Sequence, residues 1–568
     1  MLSVRFTAAR AATGPLTFGQ RNTLNWVGRE ADEFSALIHW VLVLPPGVTL
    51  PDIAAAFEIL LARHEALRTR YPTVDRQQVL ADGELPIQVH RLTAEQAALG
   101  DDEIVELLVA GLRAEGVDFT AGLPLRVAVA VTDVPRVAVV VYSHMAVDFG
   151  SMALVGRQFT ELAADPAARV VGEPGHQPLD QAAVEGSVRG RRAADAALRY
   201  WETHLRTAPQ SLYPVPPPER PGEGLRTGIL VSPAAGRALG HISARTRTGR
   251  QAVLLAAVCA VLSARTGIRR CVFASVSGNR FRLRLREYVG SLAQDGLLAL
   301  DVDVPTFDQL VARAARATLA ANSNSMFDAT RLWRIIDQVC HERGTAFTRD
   351  FSLNDLSTHF GLTDESAGVS GDVADVTAAL PETAVHWMES AHFPVLLMCN
   401  PAQLAPDLML GLTSDTRYVA EAEVELLLRG VETLLVAAAG TDVELTRLAE
   451  ASGVPPVRRD ADWVCVDECW VRLSSVRELL ADALRTPAFV VAAADRLVAY
   501  VTATAEIGTP TAAHAACMAV LPEPGRHTAM APGHYVLCDG TPADPTSESA
   551  WQALPVLAEG NGRVKQPA

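Results

Sequence analysis

Val139-Val140-Val141-Tyr142-Ser143-His144-Met145-Ala146-Val147-Asp148-Phe149-Gly150-Ser151 is a strand that runs into a histidine and then into a helix. The β-branched run reads as a buried strand. Four residues after His144 stands Asp148, then Gly150, then a helical pattern through residues 152–164. A strand that ends in a polar loop delivers side chains to a cleft on a rigid support. Histidine is the side chain best matched to proton transfer near neutral pH. His144 is therefore the candidate acid–base residue, with Ser143, Asp148 and Gly150 around it. Taken alone, a histidine after a strand is more often a satisfied structural residue.

Working outward, residues 123–131 and 136–142 flank Thr132-Asp133-Val134-Pro135 and read as an antiparallel hairpin. Residues 37–44 read as a buried strand. Residues 52–70 read as one amphipathic helix, with Ile53, Phe57, Leu60, Leu61, His64 and Leu67 at helical spacing. A helix is expected around 194–205, and Pro214, Pro216, Pro217, Pro218 and Pro221 read as a stiff, exposed linker. Beyond it come helices at 251–263, 307–321 and 420–439 and strands at 271–276 and 291–304, with two more β-type stretches flanking 401–407. Composition changes after Gly440, and 464–471, 473–484 and 489–501 read as strand, helix and strand of a small added unit. The alternation of helices and strands predicts an α/β or α+β protein.

Several stretches resemble one family in order and spacing. Ser143-His144-Met145-Ala146-Val147-Asp148 resembles the H-H-x-x-x-D-G signature of nonribosomal peptide synthetase condensation domains. Pro15-Leu16-Thr17-Phe18-Gly19-Gln20-Arg21 resembles their opening P-L-S-x-x-Q-x motif. Arg63-His64-Glu65-Ala66-Leu67-Arg68-Thr69-Arg70-Tyr71 is similar to R-H-E-x-L-R-T-x-F nearly residue for residue. Tyr200-Trp201 with Leu205 resembles Y-W-x-x-x-L, and Val289-Gly290-Ser291-Leu292-Ala293-Gln294-Asp295 resembles V-G-x-F-V-N-T.

The resemblance implies two chloramphenicol-acetyltransferase-like halves in a V-shaped pseudo-dimer, with boundaries at 1–175 and 176–445 and a small α+β unit at 455–568. It implies that an amine, or a hydroxyl, attacks an acyl thioester on the phosphopantetheine arm of an acyl or peptidyl carrier protein. The acceptor is either a small molecule or carrier-bound. His144 would act as general base or position the nucleophile, and both roles stay open. Backbone N–H groups around Gly150 would serve as oxyanion donors. Asp148 would pair with Arg280, from Ser277-Gly278-Asn279-Arg280, to brace the loop. This chain departs at Ser143 (for the first histidine), at Phe149 (for the glycine, with a phenyl group expected near the substrate tunnel) and at Gln294 (for the asparagine). A free-standing condensation enzyme is the expected function. A catalytically silent recruitment module and a coenzyme A-dependent acyltransferase are the alternatives.

The last unit resembles the small subdomain of adenylation domains at Arg496-Leu497-Val498-Ala499-Tyr500-Val501 and Asn561-Gly562-Arg563-Val564. Arg563 stands where those domains keep a catalytic lysine, and no chain remains for a large ATP-binding subdomain. Amino-acid activation is therefore not expected.

Charge and composition narrow the field further. The 568 residues carry a net charge of −15, which argues against nucleic-acid partners. Yet ten arginines and no carboxylates fall between Arg245 and Arg286. Arg282, Arg284 and Arg286 alternate with Phe281, Leu283 and Leu285, and would share one face if extended. A solvated surface with internal ion pairs is one reading. An electrostatic landing site for an acidic carrier protein is the other. The single lysine, Lys565, excludes a G-x-x-x-x-G-K-[ST] phosphate loop and argues against Schiff-base chemistry. The first fifteen residues lack an apolar signal core, and the apolar run 252–262 is too short to span a bilayer, so a cytoplasmic protein without membrane contact is expected. Eight cysteines suit reduced thiols. Cys465 and Cys469 with His514, His527 and His534 fit no standard zinc spacing, and neither a metal nor a bound cofactor is expected.

Overall fold

Pro135–Ser143 is buried along most of its length because its sheet is covered on both faces. Ala138, Val140 and Tyr142 join Phe57, Leu60 and Phe159 in one core. Val137, Val139 and Val141 pack with Ile104, Leu108 and Leu112 in another. A strand covered on both sides loses the polar alternation of a half-exposed one, which explains the valine run.

The computed structural model describes residues 2–29, 36–114, 120–170, 175–347, 350–357, 372–390, 396–493 and 495–563. Val564 and Lys565 lie outside them. The chain is a mixed α/β protein of two compact units. One comprises Met1–Ala197, Ser277–Gln294 and Ser325–Arg331; the other comprises Leu198–Val276, Asp295–Asn324 and Leu332–Ala568.

The first unit holds a five-stranded sheet in the order Leu2–Thr7, Asp82–Arg91, Leu125–Val131, Pro135–Ser143, Leu37–Leu42. The hairpin at 125–143 is antiparallel, with Leu125 opposite Tyr142. Leu37–Leu42 is not a buried strand. It lies at the sheet edge, with Ile38 and Trp40 half-buried and His39 and Val41 exposed. The expected helix at 52–70 is also shorter. A capping box between Thr49 and Asp52 starts it at Leu50, and it ends at Arg63. His64 turns extended, a 3₁₀ turn spans Glu65–Arg68, and Thr69–Thr73 is a strand. Side-chain bonds turn the chain there: His64 Nε2 lies 2.7 Å from Gln158 Oε1, and Arg68 donates to the carbonyls of Arg10 and Leu80. Burial pulls the His64 imidazole down to about 4 against that hydrogen bond, so it is a neutral structural group.

The second unit contains a seven-stranded sheet in the order Gln294–Asp301, Arg270–Ser277, Phe351–Leu353, Leu397–Gln403, Leu408–Asp415, Leu225–Ser232, Ala384–Glu389. The strand expected at 291–304 is confined to Gln294–Asp301, because residues 292 and 293 spend their N–H groups elsewhere. Arg250–Thr266 is apolar around most of its circumference and is buried accordingly. The helix Ala329–Arg343 escaped the sequence reading. The proline-rich stretch is not simply an exposed linker: Leu212, Tyr213 and Val215 belong to this unit's core.

The C-terminal residues of this unit form a four-stranded sheet, Ala488–Ala493, Arg496–Thr502, His534–Cys538 and Val556–Gly560, with helices Leu473–Leu484 and Pro510–Val520. They are tied to preceding segments of the same unit. Arg343 pairs with Asp467 at 2.7 Å. His514 Nε2 lies 2.8 Å from the His341 carbonyl oxygen, and Arg563 donates to the Glu342 carbonyl at 3.1 Å. Arg459 stacks 4.2 Å from the Trp470 ring centroid. Among the described residues no helix is long and apolar enough to cross a membrane, and no group of three or more His, Cys, Asp or Glu side chains is placed to hold a metal ion.

Candidate functional site

The loop after Pro135–Ser143 is held almost entirely by backbone bonds. The N–H groups of Ser143 and His144 donate to the carbonyls of Pro124 and Ala36, each at 2.8 Å. The Ser143 hydroxyl accepts the Met145 N–H at 3.2 Å, and Ala146 N–H donates to the Ser143 carbonyl at 3.0 Å. Ser143 is buried, and closing this turn is its task. The His144 side chain is partly exposed, yet its Nδ1 is buried with no hydrogen-bond partner among the described residues. No hydrogen bond on that nitrogen fixes the tautomer or the ring angle.

Asp148 caps the helix Phe149–Ala164 and accepts the Ser151 N–H at 2.9 Å. Arg280 grips the same carboxylate with both terminal nitrogens, at 2.6 and 2.9 Å. The N–H groups of Leu292 and Ala293 complete the shell at 2.9 and 3.1 Å. Burial pushes this carboxyl up, but Arg280 and the backbone donors outweigh it and hold it at about 2. Asp148 is only 1% exposed and Arg280 16%. Arg280 also donates to Ser151 Oγ at 2.8 Å, and that hydroxyl donates to the Gly290 carbonyl at 2.8 Å. The result is a closed knot joining the helix start to residues 278–293.

Gly150 leaves room for this knot. A Cβ there would stand 2.9 Å from Arg280 Nη1, and the neighbouring Ser151 N–H is spent on Asp148. Phe149 turns to the core, edge-on to Trp40 at 5.3 Å. Gln294 donates to the Phe327 carbonyl at 2.9 Å, a backbone tie that an amide of this length can make.

The structure brings His144, Ser143, Asp148, Gly150 and Arg280 into one loop system. It corrects the picture of the arginine stretch. Residues 281–286 are not extended, because Leu283–Leu285 is a 3₁₀ turn anchored by buried Leu285 against Tyr288 and Leu292. Arg282, Arg284 and Arg286 are exposed on that turn, beside Phe281 and Leu283, which are 61% and 80% exposed. Elsewhere in the segment Arg245 pairs with Asp308, Arg265 with Glu423 and Arg270 with Asp301.

The helix Phe18–Arg29 adds residues that the sequence reading left unassigned. Its start is a reciprocal box: Thr17 N–H donates to Gln20 Oε1 at 2.9 Å, and Gln20 N–H donates to Thr17 Oγ1 at 3.2 Å. The Thr-x-x-Gln spacing was the available signal. Buried Glu185 accepts the Phe18 N–H at 2.7 Å, and burial, opposed by that bond and one from Gln181, pushes its carboxyl up to about 7. No local pattern announced it. Gly19 lies directly on the Ser291 carbonyl, where a Cβ would come within 2.1 Å of the oxygen. Gly19→Ala should therefore destabilise the protein by about 1–3 kcal/mol through overpacking against backbone. A denaturant midpoint unchanged from wild type would show that this contact is not made.

A family model described as "Condensation domain" matches residues 13–377. Malpibaldin synthetase of Mortierella alpina is 28% identical over 329 residues, which cover 54% of this chain and 6% of that synthetase. The chain thus matches only a small part of that relative's length. Among solved structures, the condensation domain of the monacolin K polyketide synthase MokA superposes with a TM-score of 0.59 at 17% identity, covering 76% of this chain and 99% of that one. The first condensation domain of the calcium-dependent antibiotic synthetase, in complex with a substrate analogue, gives 0.57 at 16% identity, covering 76% and 99%. At such identities the likeness to solved structures concerns the fold.

Proposed function

The chain belongs to the condensation-domain family, and from that premise we propose that it joins a carrier-bound acyl group to an amine, or a hydroxyl, in natural-product assembly. The acyl group would arrive as a thioester on a carrier's phosphopantetheine arm. The acceptor nitrogen attacks the carbonyl carbon, the new C–N bond forms, the C–S bond breaks, and the thiol is returned to the arm. The proton lost by the amine passes to His144, or His144 holds the amine by a hydrogen bond while it attacks.

The observation that carries this reading is the placement of His144. It ends a buried strand, and both ends of its loop are fixed by buried bonds. Asp148 serves in this reading as a brace and not as a second base, since its carboxylate accepts from Arg280 and three N–H groups. We read the C-terminal segment of residues 455–568 as a brace, since ties from Asp467, His514, Ala531 and Arg563 run to the helix Ala329–Arg343 and the Gly344 beside it.

The carrier's landing site belongs to the same proposal. The exposed turn with Arg282, Arg284 and Arg286 offers positive charge and apolar tips on a chain that is otherwise acidic. Changing all three to Glu should raise the apparent KM for a carrier-bound thioester and leave kcat nearly unchanged. The salt dependence should flatten, because exposed charges are screened over about 8 Å at physiological ionic strength. A thioester mimic without the carrier should react as before. Equal responses of carrier-bound and carrier-free substrates would remove the docking assignment and leave the turn as ordinary surface.

A further inference from the structure

Trp26 stands beside His144, with ring centroids 6.2 Å apart and the planes inclined at 66°. It lies within the residues that the family model matches but in none of the short motifs that carry the resemblance. The helix Phe18–Arg29 delivers it, and that helix is held at several points. Its first N–H is fixed to Glu185 at 2.7 Å, Gln20 Nε2 reaches Gln77 Oε1 at 3.0 Å, and Gly19 rests on the Ser291 backbone. One turn before Trp26, the Thr23 hydroxyl lies 3.5 Å from the His144 carbonyl oxygen and 3.3 Å from Ser291 Oγ. The indole therefore approaches the imidazole from a helix held at Phe18, Gly19, Gln20 and Thr23.

His144 needs such a neighbour. An acid–base histidine is ordinarily oriented by a hydrogen bond on its second nitrogen, which fixes both tautomer and ring angle. Here Nδ1 is buried and has no such partner among the described residues. Packing must then supply what the hydrogen bond does not, and an inclined aromatic pair has a preferred geometry.

Resting on the assignment of His144 as the acting group, we propose that Trp26 is its positioning residue, holding the imidazole in the productive orientation by edge-to-face contact. Trp26→Ala in the full chain should lower kcat about 10–100-fold, the loss expected when a reacting group is misplaced by about an ångström. KM for the carrier-bound thioester should stay within about twofold, because uniform binding is untouched. Trp26→Phe keeps a ring edge and should recover most of the rate.

A second readout needs no substrate. Indole emission depends on what packs against the ring, so the fluorescence spectrum should change in His144→Ala. That change should be absent when His144→Ala is made in the Trp26→Phe background. If Trp26→Ala turns over like wild type while His144→Ala is inactive, the positioning role is wrong and the role of His144 stands. If His144→Ala is also fully active, the reading of the site fails and this proposal falls with it. Identical fluorescence spectra in wild type and His144→Ala would refute the contact itself.

Discussion

His144→Ala is expected to lower the rate of acyl transfer about 10²–10⁴-fold, the usual contribution of a positioned acid–base group. The fold should survive the change. The loop is held by the main chain of residues 143, 144 and 146 and by the Ser143 hydroxyl, none of which the substitution removes. The His144 side chain is partly exposed and caps no helix. Melting temperature should therefore stay near wild type while turnover collapses. A variant that turns over within a factor of a few of wild type would show that His144 does not act in the reaction.

The second large effect is on stability. Asp148→Ala leaves Arg280 in a largely buried site without its carboxylate, at a cost of about 3–5 kcal/mol. It also strips acceptors from the N–H groups of Ser151, Leu292 and Ala293. Activity and melting temperature should fall together. The acid limb gives an independent check. The folded carboxyl sits at about 2, below its ordinary 3.8, so the unfolded chain binds the proton more readily. The stabilisation is complete above about pH 4 and disappears as pH falls through about 2. The stability gap between wild type and Asp148→Asn should accordingly be constant at neutral pH and narrow below pH 4. A gap that stayed constant down to pH 2 would mean that the pair contributes nothing through its charge.

Much of the site could be read from residue order alone. The strand, the histidine and the helix after it announce themselves by periodicity, and the partner arginine follows from the resemblance at Ser277-Gly278-Asn279-Arg280. The rest is carried by atoms that have no letter in the sequence. Leu292 and Ala293 act through backbone N–H groups, so their side chains say nothing of it. Gly19 matters for a close approach to a residue 272 positions away, which no window reveals. The apolar spacing of the helix at 50–63 continues into a 3₁₀ turn, so periodicity alone does not show its end, which bonds of His64 and Arg68 set. Alternating arginines suggested an extended strip, but Leu285 packs inward and curls the segment into a turn. Trp26 carries no motif, and only the placement of its helix brings it to His144.

The most direct test of the whole account is a single-turnover experiment read by intact mass. A carrier protein is loaded with a short acyl thioester on its phosphopantetheine arm and mixed with an excess of a primary amine and the purified chain. The account predicts that the carrier loses the acyl mass at a rate that depends on the amine, that the amide appears in equal amount, and that both stop in His144→Ala. Acyl loss at the same rate with wild type and His144→Ala, or loss by wild type that is indifferent to the amine, would contradict it.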